Sequence, residues 1–307
     1  MTCRVAKIHC LGVLLLTLAA VAGPVMAASD VLTLGRISDD PRNHYGQLKP
    51  LLDYIVPRMQ DLGIRQGRVL MARDVRQMAN YLRRGSVDWV TETPGMAMEL
   101  RNLAGAQPLL LTERNGSASY RSYIIVRRDS GIRDLAGLTG RSIAFEYVAS
   151  TSAYLVPVSE LLQAGLPLDP LTAIGDTPRN GAVGYLFSRS ETNTAMWVAK
   201  GLVSAGAISS LGWENPRILP PSVRGELVVI HESGPMPRGL ELVRPDLDAR
   251  VRERLRELLQ AAADDPQAAE AMQQFFGASR FLPLDAGHEA QLRRLAESLV
   301  RVHREVE

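Results

Sequence analysis

From residue 31 onward, short apolar runs alternate with amphipathic ones, and this alternation restricts the fold more than any other feature of the sequence. Val31-Leu32-Thr33-Leu34 stops at Gly35 and runs into Asp39-Asp40-Pro41, which reads as a strand followed by a turn. Between residues 45 and 62, apolar side chains recur at Leu48, Leu51, Leu52, Ile55, Val56 and Met59. That is a helical period, with Pro50 and Pro57 lying inside it. Residues 68–72 predict a second strand, and Asp74 is placed to cap a helix that Gly85 ends. Residues 86–90 predict a third strand, and Thr91-Glu92-Thr93-Pro94 opens another helix. Strands and helices in strict alternation predict a parallel, right-handed α/β lobe. Ligands of such lobes sit at the carboxyl ends of the strands. Residues 36–39, 73–75 and 91–93 therefore fall on one rim.

The first 27 residues read differently. Arg4 and Lys7 form a basic start, residues 11–22 are apolar and uncharged, and Val25-Met26-Ala27 has the small-residue pattern of a cleavage site. This is the layout of a secretory signal peptide, and the apolar run is short of the roughly 20 residues that span a membrane. Cys3 and Cys10 would both leave with it, so the mature chain has no thiol chemistry. Losing Arg4 and Lys7 leaves 33 basic residues against 33 acidic ones, a balance that argues against a nucleic-acid partner. The remaining chain of about 280 residues is long enough for two lobes.

Further along, residues 108–111 and 119–126 predict two more strands, and residues 141–148 another. The last of these leads into Ala149-Ser150-Thr151-Ser152-Ala153-Tyr154 and a helical stretch to Gly165. A strand turning sharply into a helix leaves the first N–H groups of the helix unpartnered. Those donors, the helix dipole and three short hydroxyls together make a cup for an oxyanion. The plainer reading is an ordinary Ser or Thr cap, but one cap needs one hydroxyl and three are present. Ser190 is placed to cap a helix through Lys200, residues 203–208 predict a strand ending at Ser209-Ser210, and residues 216–221 read as a linker. A strand at 226–230 and helices at 245–263, 266–276 and 289–302 complete the chain.

Four segments together resemble the type II periplasmic binding proteins of the phosphate, phosphite and phosphonate transport family. Tyr120-Arg121-Ser122-Tyr123-Ile124-Ile125-Val126 with Arg128-Asp129-Ser130-Gly131-Ile132 is similar to its crossing strand and turn. Asp134-Leu135, Gly137-Leu138 and Gly140-Arg141 resemble its DL-GL-GK stretch, and residues 200–207 its G-x-V-D-A-G-A segment. Ser150-Thr151-Ser152-Ala153-Tyr154-Leu155-Val156-Pro157 resembles its S-T-S-G-Y-L-x-P motif, the most specific of the four. The resemblance implies an α/β fold of two lobes, residues 28–122 with 226–307 and residues 123–225, each a mixed, mostly parallel sheet flanked by helices, with the ligand cleft between them. It implies that Ser150, Thr151 and Ser152 hydrogen-bond a phosphoryl-type group, with Ser38, Glu92, Arg121, Ser190, Glu191 and Ser209 lining the cleft. No cofactor or metal is called for.

The departures from the family pattern concern what is bound. Val75 stands where phosphonate binders carry a tyrosine, Glu191 where a histidine is expected, and Ser204 at the acidic position of the later segment. Two carboxylates, Glu92 and Glu191, would then face a bare dianion and repel it. Either the ligand carries a cation as well, or Arg36, Arg121 or Arg189 neutralises the acids. The expected role is the periplasmic component of an ABC-type importer, a monomer that closes on a small oxyanion-bearing ligand and docks on a membrane permease. The alternative is a binding protein that presents its closed form to a sensor kinase or other receptor. An enzyme is not expected: among His9, His44, His231, His288 and His303 there is no metal-ligand spacing, and no G-x-S-x-G elbow is present.

Overall fold

The computed structural model describes residues 30–38 and 40–306; the expected signal segment, residues 1–27, lies outside them. Two six-stranded sheets form the frame. In the first, the order is Ala278–Leu282, Gln107–Arg114, Leu240–Val243, Trp89–Glu92, Val31–Ile37, Gln66–Ala72. Val31–Ile37 runs parallel to both Gln66–Ala72 and Trp89–Glu92, as the alternating pattern predicts, and Leu240–Val243 enters antiparallel between two strands of the first segment. In the second, the order is Leu227–Glu232, Ser122–Arg127, Ala205–Ser209, Ser142–Phe145, Val183–Phe187, Leu168–Pro170.

The strand expected over residues 119–126 is two strands. Ser119–Tyr120 pairs with Met236–Pro237 in a small crossing ribbon, and the chain joins the second sheet only from Ser122. The return is also later than expected. Leu227–Glu232 hydrogen-bonds Ser122–Arg127 within the second sheet, so the first lobe resumes beyond the ribbon, at Leu240, and not at residue 226. Two other expectations shift. Residues 216–221 are no bare linker but lead into a helical turn, Pro221–Glu226. The helix expected over 45–62 starts at Pro41 and ends at Ile55, after which Val56–Leu62 tightens to a 3₁₀ helix with Pro57 in its first turn.

Each lobe has its own apolar interior. In the first, Trp89 and Phe275 are fully buried with ring centroids 6.0 Å apart, packed with Leu32, Leu34, Leu51, Leu52 and Ile55. Full burial of side chains of this size contributes about 1.5–3 kcal/mol apiece. A further cluster joins the lobes. Leu292, Leu299 and Val302 of the last helix, Ala286–Val306, belong to it together with Met96 of the first lobe and Leu155 and Val158 of the second. The same helix donates from Arg301 to Leu162 O and pairs His303 with Glu99 Oε1 at 2.8 Å, so it straps both lobes. None of the described helices is long and apolar enough to cross a membrane.

Candidate functional site

The hydroxyl turn lies where the two lobes meet. Ser142–Phe145 ends at the turn, and Ser150 caps the helix that follows, its Oγ accepting from Ala153 N at 3.2 Å. The first turn of that helix, Thr151–Leu155, is wound as a π-helix before the α-helix Val156–Gln163 begins. π-turns are rare and cluster at functional sites. Of the two readings of the stretch, the cap falls on Ser150 alone, and the hydroxyls of Thr151 and Ser152 make other contacts.

Thr151 reaches across the cleft. Its Oγ1 accepts from Gly95 N at 2.9 Å, in the first turn of the opposite lobe's helix Pro94–Ala104. The approach depends on glycine: a Cβ at residue 95 would stand 2.5 Å from Leu155 Cδ1 and 2.8 Å from Thr151 Oγ1. The lobes are therefore closed. Ser152 offers its carbonyl to Ser122 Oγ, and the buried Tyr120 of the crossing ribbon hydrogen-bonds the Ser152 and Thr151 side chains.

The two carboxylates sit deeper than a cleft-lining role suggests. Glu92 is 2% exposed and accepts from Ile37 N at 2.7 Å and Thr93 N at 3.2 Å, holding the ends of two parallel strands in register. Burial raises its pKa, against the opposing pull of Arg36, those two N–H groups and Arg114. Glu191 accepts from Ser209 N at 2.6 Å and from Ser209 Oγ at 3.1 Å, and its Oε2 lies against Gly212. Burial raises its pKa too, and the Ser209 bonds oppose the shift. Each acid thus ties two segments of its own lobe.

The remaining expected residues are dispersed. Ser38 Oγ lies 2.6 Å from His44 Nδ1 and accepts from Asp40 N, at the carboxyl end of the first strand. Ser190 caps its own helix, accepting from Asn193 N. Arg121 is pinned at the hinge, with Nη1 donating to Ser233 O at 2.9 Å and lying 3.1 Å from Glu232 Oε1. Arg189 is exposed, in a left-handed turn at φ +73°. Of the three arginines considered for neutralising the acids, only Arg36 stands near Glu92.

Reading the sequence missed Arg114, Arg238, Tyr120 and Phe276, while Thr93 lies on the rim it drew. Arg114 is 5% exposed, at the end of a strand that the apolar pattern stops short of, at Leu111. Arg36 and Arg114 lie over the Phe276 ring, at 4.3 and 4.8 Å from its centroid, and Arg238 lies 5.1 Å from the Tyr120 ring. The basic wall on the first lobe therefore continues through the ribbon to the hydroxyl turn.

Residues 37–288 match the family model described as ABC transporter, phosphonate, periplasmic substrate-binding protein. The chain belongs to that family. It is 47% identical to the XAC2383 protein of Xanthomonas citri in a structure with bound chloride, covering 91% of this chain and all of that one, with a TM-score of 0.86. A second structure of the same protein holds ATP, at 46% identity, with the same coverage and TM-score. PhnD1 of Prochlorococcus marinus, solved with methylphosphonate, is 18% identical over 90% of this chain and 99% of its own, with a TM-score of 0.58, a likeness of fold.

As a phosphonate-family binding protein, the chain has the two-lobe architecture of type II periplasmic binding proteins. The crossing ribbon connects the lobes, and the Thr151–Gly95 hydrogen bond bridges them. Hinge closure about a few connecting residues is the ordinary motion of this architecture. Beside the ribbon, Ser233 Oγ accepts from Ser122 N and so ties the outgoing chain to the returning one, while Ser210 Oγ accepts from Arg121 N and ties it to the second lobe.

Proposed function

We propose that the chain captures a small oxyanion-bearing ligand, of phosphonate, phosphite or phosphate type, by closing its lobes, and hands it to an ABC permease. The observation that carries this reading is the Thr151–Gly95 hydrogen bond, which makes the hydroxyl turn a part of the lobe interface. The Xanthomonas citri relative supports anion capture, because both chloride and the phosphate tail of ATP are anions. A location in the periplasm, after removal of residues 1–27, and action as a monomer belong to the same reading. So do the site residues: Thr151 and Ser152 face the ligand across the closed cleft, Ser150 shapes their turn, and Glu92 and Glu191 hold the two walls. Arg36 beside Glu92 favours neutralisation of that acid by the protein over a cation on the ligand. Binding occurs without turnover.

A thermal-shift screen of residues 28–307 with phosphate, phosphite, methylphosphonate, aminoethylphosphonate and sulfate tests the proposal. A ligand at about 100 times its Kd adds roughly 2.7 kcal/mol of stability, so a true ligand gives a clear rise in Tm. A rise with phosphorus oxyanions is expected. A rise with zwitterionic compounds alone would reverse the reading of Glu92, and no rise with any of these compounds would contradict oxyanion capture.

Thr151→Ala is expected to weaken binding of the best such anion by about 1–3 kcal/mol, since a hydrogen bond to a charged ligand and the latch to Gly95 N are both lost. The fold should be retained. Calorimetric titration of the variant, with its circular dichroism as control, measures both; unchanged affinity would make Thr151 purely structural.

A further inference from the structure

The first-lobe wall of the cleft carries more cationic donors than the protein itself uses. Arg114 Nε and Nη2 are buried without a hydrogen-bond partner. Arg36 donates from Nη1 to Thr91 O at 3.1 Å, while its buried Nε has no partner. Arg238 Nε and the Oγ1 of Thr93, the residue after Glu92, are likewise buried without a partner. Buried guanidinium groups with unmet donors are strongly disfavoured unless an acceptor is supplied.

The nearby acids do not supply it. Glu241 accepts from Trp89 Nε1, Thr91 Oγ1 and Thr112 Oγ1, and Glu92 from two backbone N–H groups. They balance charge at a distance and leave the arginine donors open. The wall is also built with strain. Phe276, under the Arg36 and Arg114 guanidiniums, sits at φ +55°, a region that bulky side chains seldom occupy and that strain often marks at functional sites. Gly239 lets Arg114 lie against the backbone beside Arg238: a Cβ there would be 3.0 Å from Nη2.

We propose that Arg36, Arg114 and Arg238, with the Thr93 hydroxyl, seat the acid group of the ligand, a tetrahedral oxyanion of the phosphate or phosphonate class, and that the 150–152 turn is the latch that closes over it. The proposal rests on the capture reading above and reassigns the main anchor from the second lobe to the first lobe and the ribbon. Planar guanidiniums suit the task because each can donate two parallel hydrogen bonds to one oxyanion. Binding then has an order: the anion docks on the arginines of an open clamp, and its remaining oxygens meet Thr151 and Ser152 on closure.

The groups facing Arg114 are Arg36, Arg238, Glu241 and Glu92. Burial and the two arginines lower its pKa to about 9, while the two glutamates hold it up. Its charge is therefore less well stabilised by the protein than that of a free guanidinium, which an oxyanion would reverse.

The test is calorimetric titration of residues 28–307 with inorganic phosphate, methylphosphonate and sulfate at pH 7. Wild type is compared with Arg114→Met and with Arg238→Gln, which alters a half-buried side chain and covers the case in which the buried variant fails to fold. Each arginine variant is expected to bind roughly 10- to 100-fold more weakly, the loss of one or two charge-assisted hydrogen bonds. Anion affinity unchanged in Arg238→Gln and in folded Arg114→Met overturns the arginine seat while leaving capture by the clamp intact. No binding of any of the three anions by wild type overturns both.

Discussion

Replacing Glu241 with alanine is expected to destabilise the protein by about 3–5 kcal/mol, the usual cost of stranding the partners of a buried charge. Glu241 is fully buried in the middle of Leu240–Val243, the strand that stitches the returning chain into the first sheet. Its oxygens accept from Trp89 Nε1 at 2.6 Å and from Thr91 Oγ1 at 2.8 Å, and also from Thr112 Oγ1, so that one carboxylate joins three strands. Alanine would leave three buried donors without acceptors and remove a negative charge that faces Arg114. For a chain of this size, 1 kcal/mol corresponds to about 2–4 °C, so Tm should fall on the order of 6–20 °C in a calorimetric scan. A fall below about 2 °C would mean that the three hydrogen bonds contribute little net stability, in conflict with the cost of unmet buried donors.

The second large effect is expected on binding, with little effect on folding. Gly95→Leu places a side chain where Leu155 Cδ1 and Thr151 Oγ1 of the opposite lobe already stand, at 2.5 and 2.8 Å from the first added carbon. Overpacking of this kind costs about 1–3 kcal/mol in the state that contains the clash. The atoms struck belong to the other lobe, so the clash is expected to fall on the closing step. Closure therefore becomes harder, and the affinity for the captured anion should drop roughly 10- to 100-fold, tenfold for each 1.4 kcal/mol. The Tm without ligand should stay within a few degrees of wild type. Gly95→Ala should fall between, since a methyl group can be met by rotation of the Leu155 end. An equal loss of Tm and affinity in Gly95→Leu would show that the clash is built into the fold and not into the closing step.

The frame of the protein was open to reading from its sequence because the signals are local. Strand and helix periods, Asp74 and Ser190 as caps, and the Ser150-Thr151-Ser152 turn are all settled within a few residues of chain. The return of the chain was harder. Leu227–Glu232 has the apolar run of a strand, but nothing in that run says which sheet it joins, and pairing with Ser122–Arg127 is settled about a hundred residues away. The site was legible in part for the same reason. The hydroxyl turn is one continuous segment, whereas the arginine wall is assembled from residues 36, 114 and 238 around Phe276. An arginine in a sequence reads as solvated surface, and only the sheet order, with Ala278–Leu282 beside Gln107–Arg114, buries Arg114. Glu92 and Glu191 read from the sequence as acids facing the cleft, but their oxygens meet backbone N–H groups that adjacent strands and helices bring to them.

The central claim is that an anion closes the two lobes on each other, and inter-lobe distance tests it most directly. The chain from residue 28 has no cysteine, so spin labels can be placed without background at Arg76→Cys on the first lobe and Ile174→Cys on the second, both exposed positions. Pulsed electron spin resonance without ligand should show a longer or broader distance distribution than the same sample with saturating methylphosphonate or phosphate. With the anion, the distribution should narrow and shorten, and Gly95→Leu should block that change. An anion that raises Tm yet leaves the distance distribution unaltered would contradict capture by lobe closure.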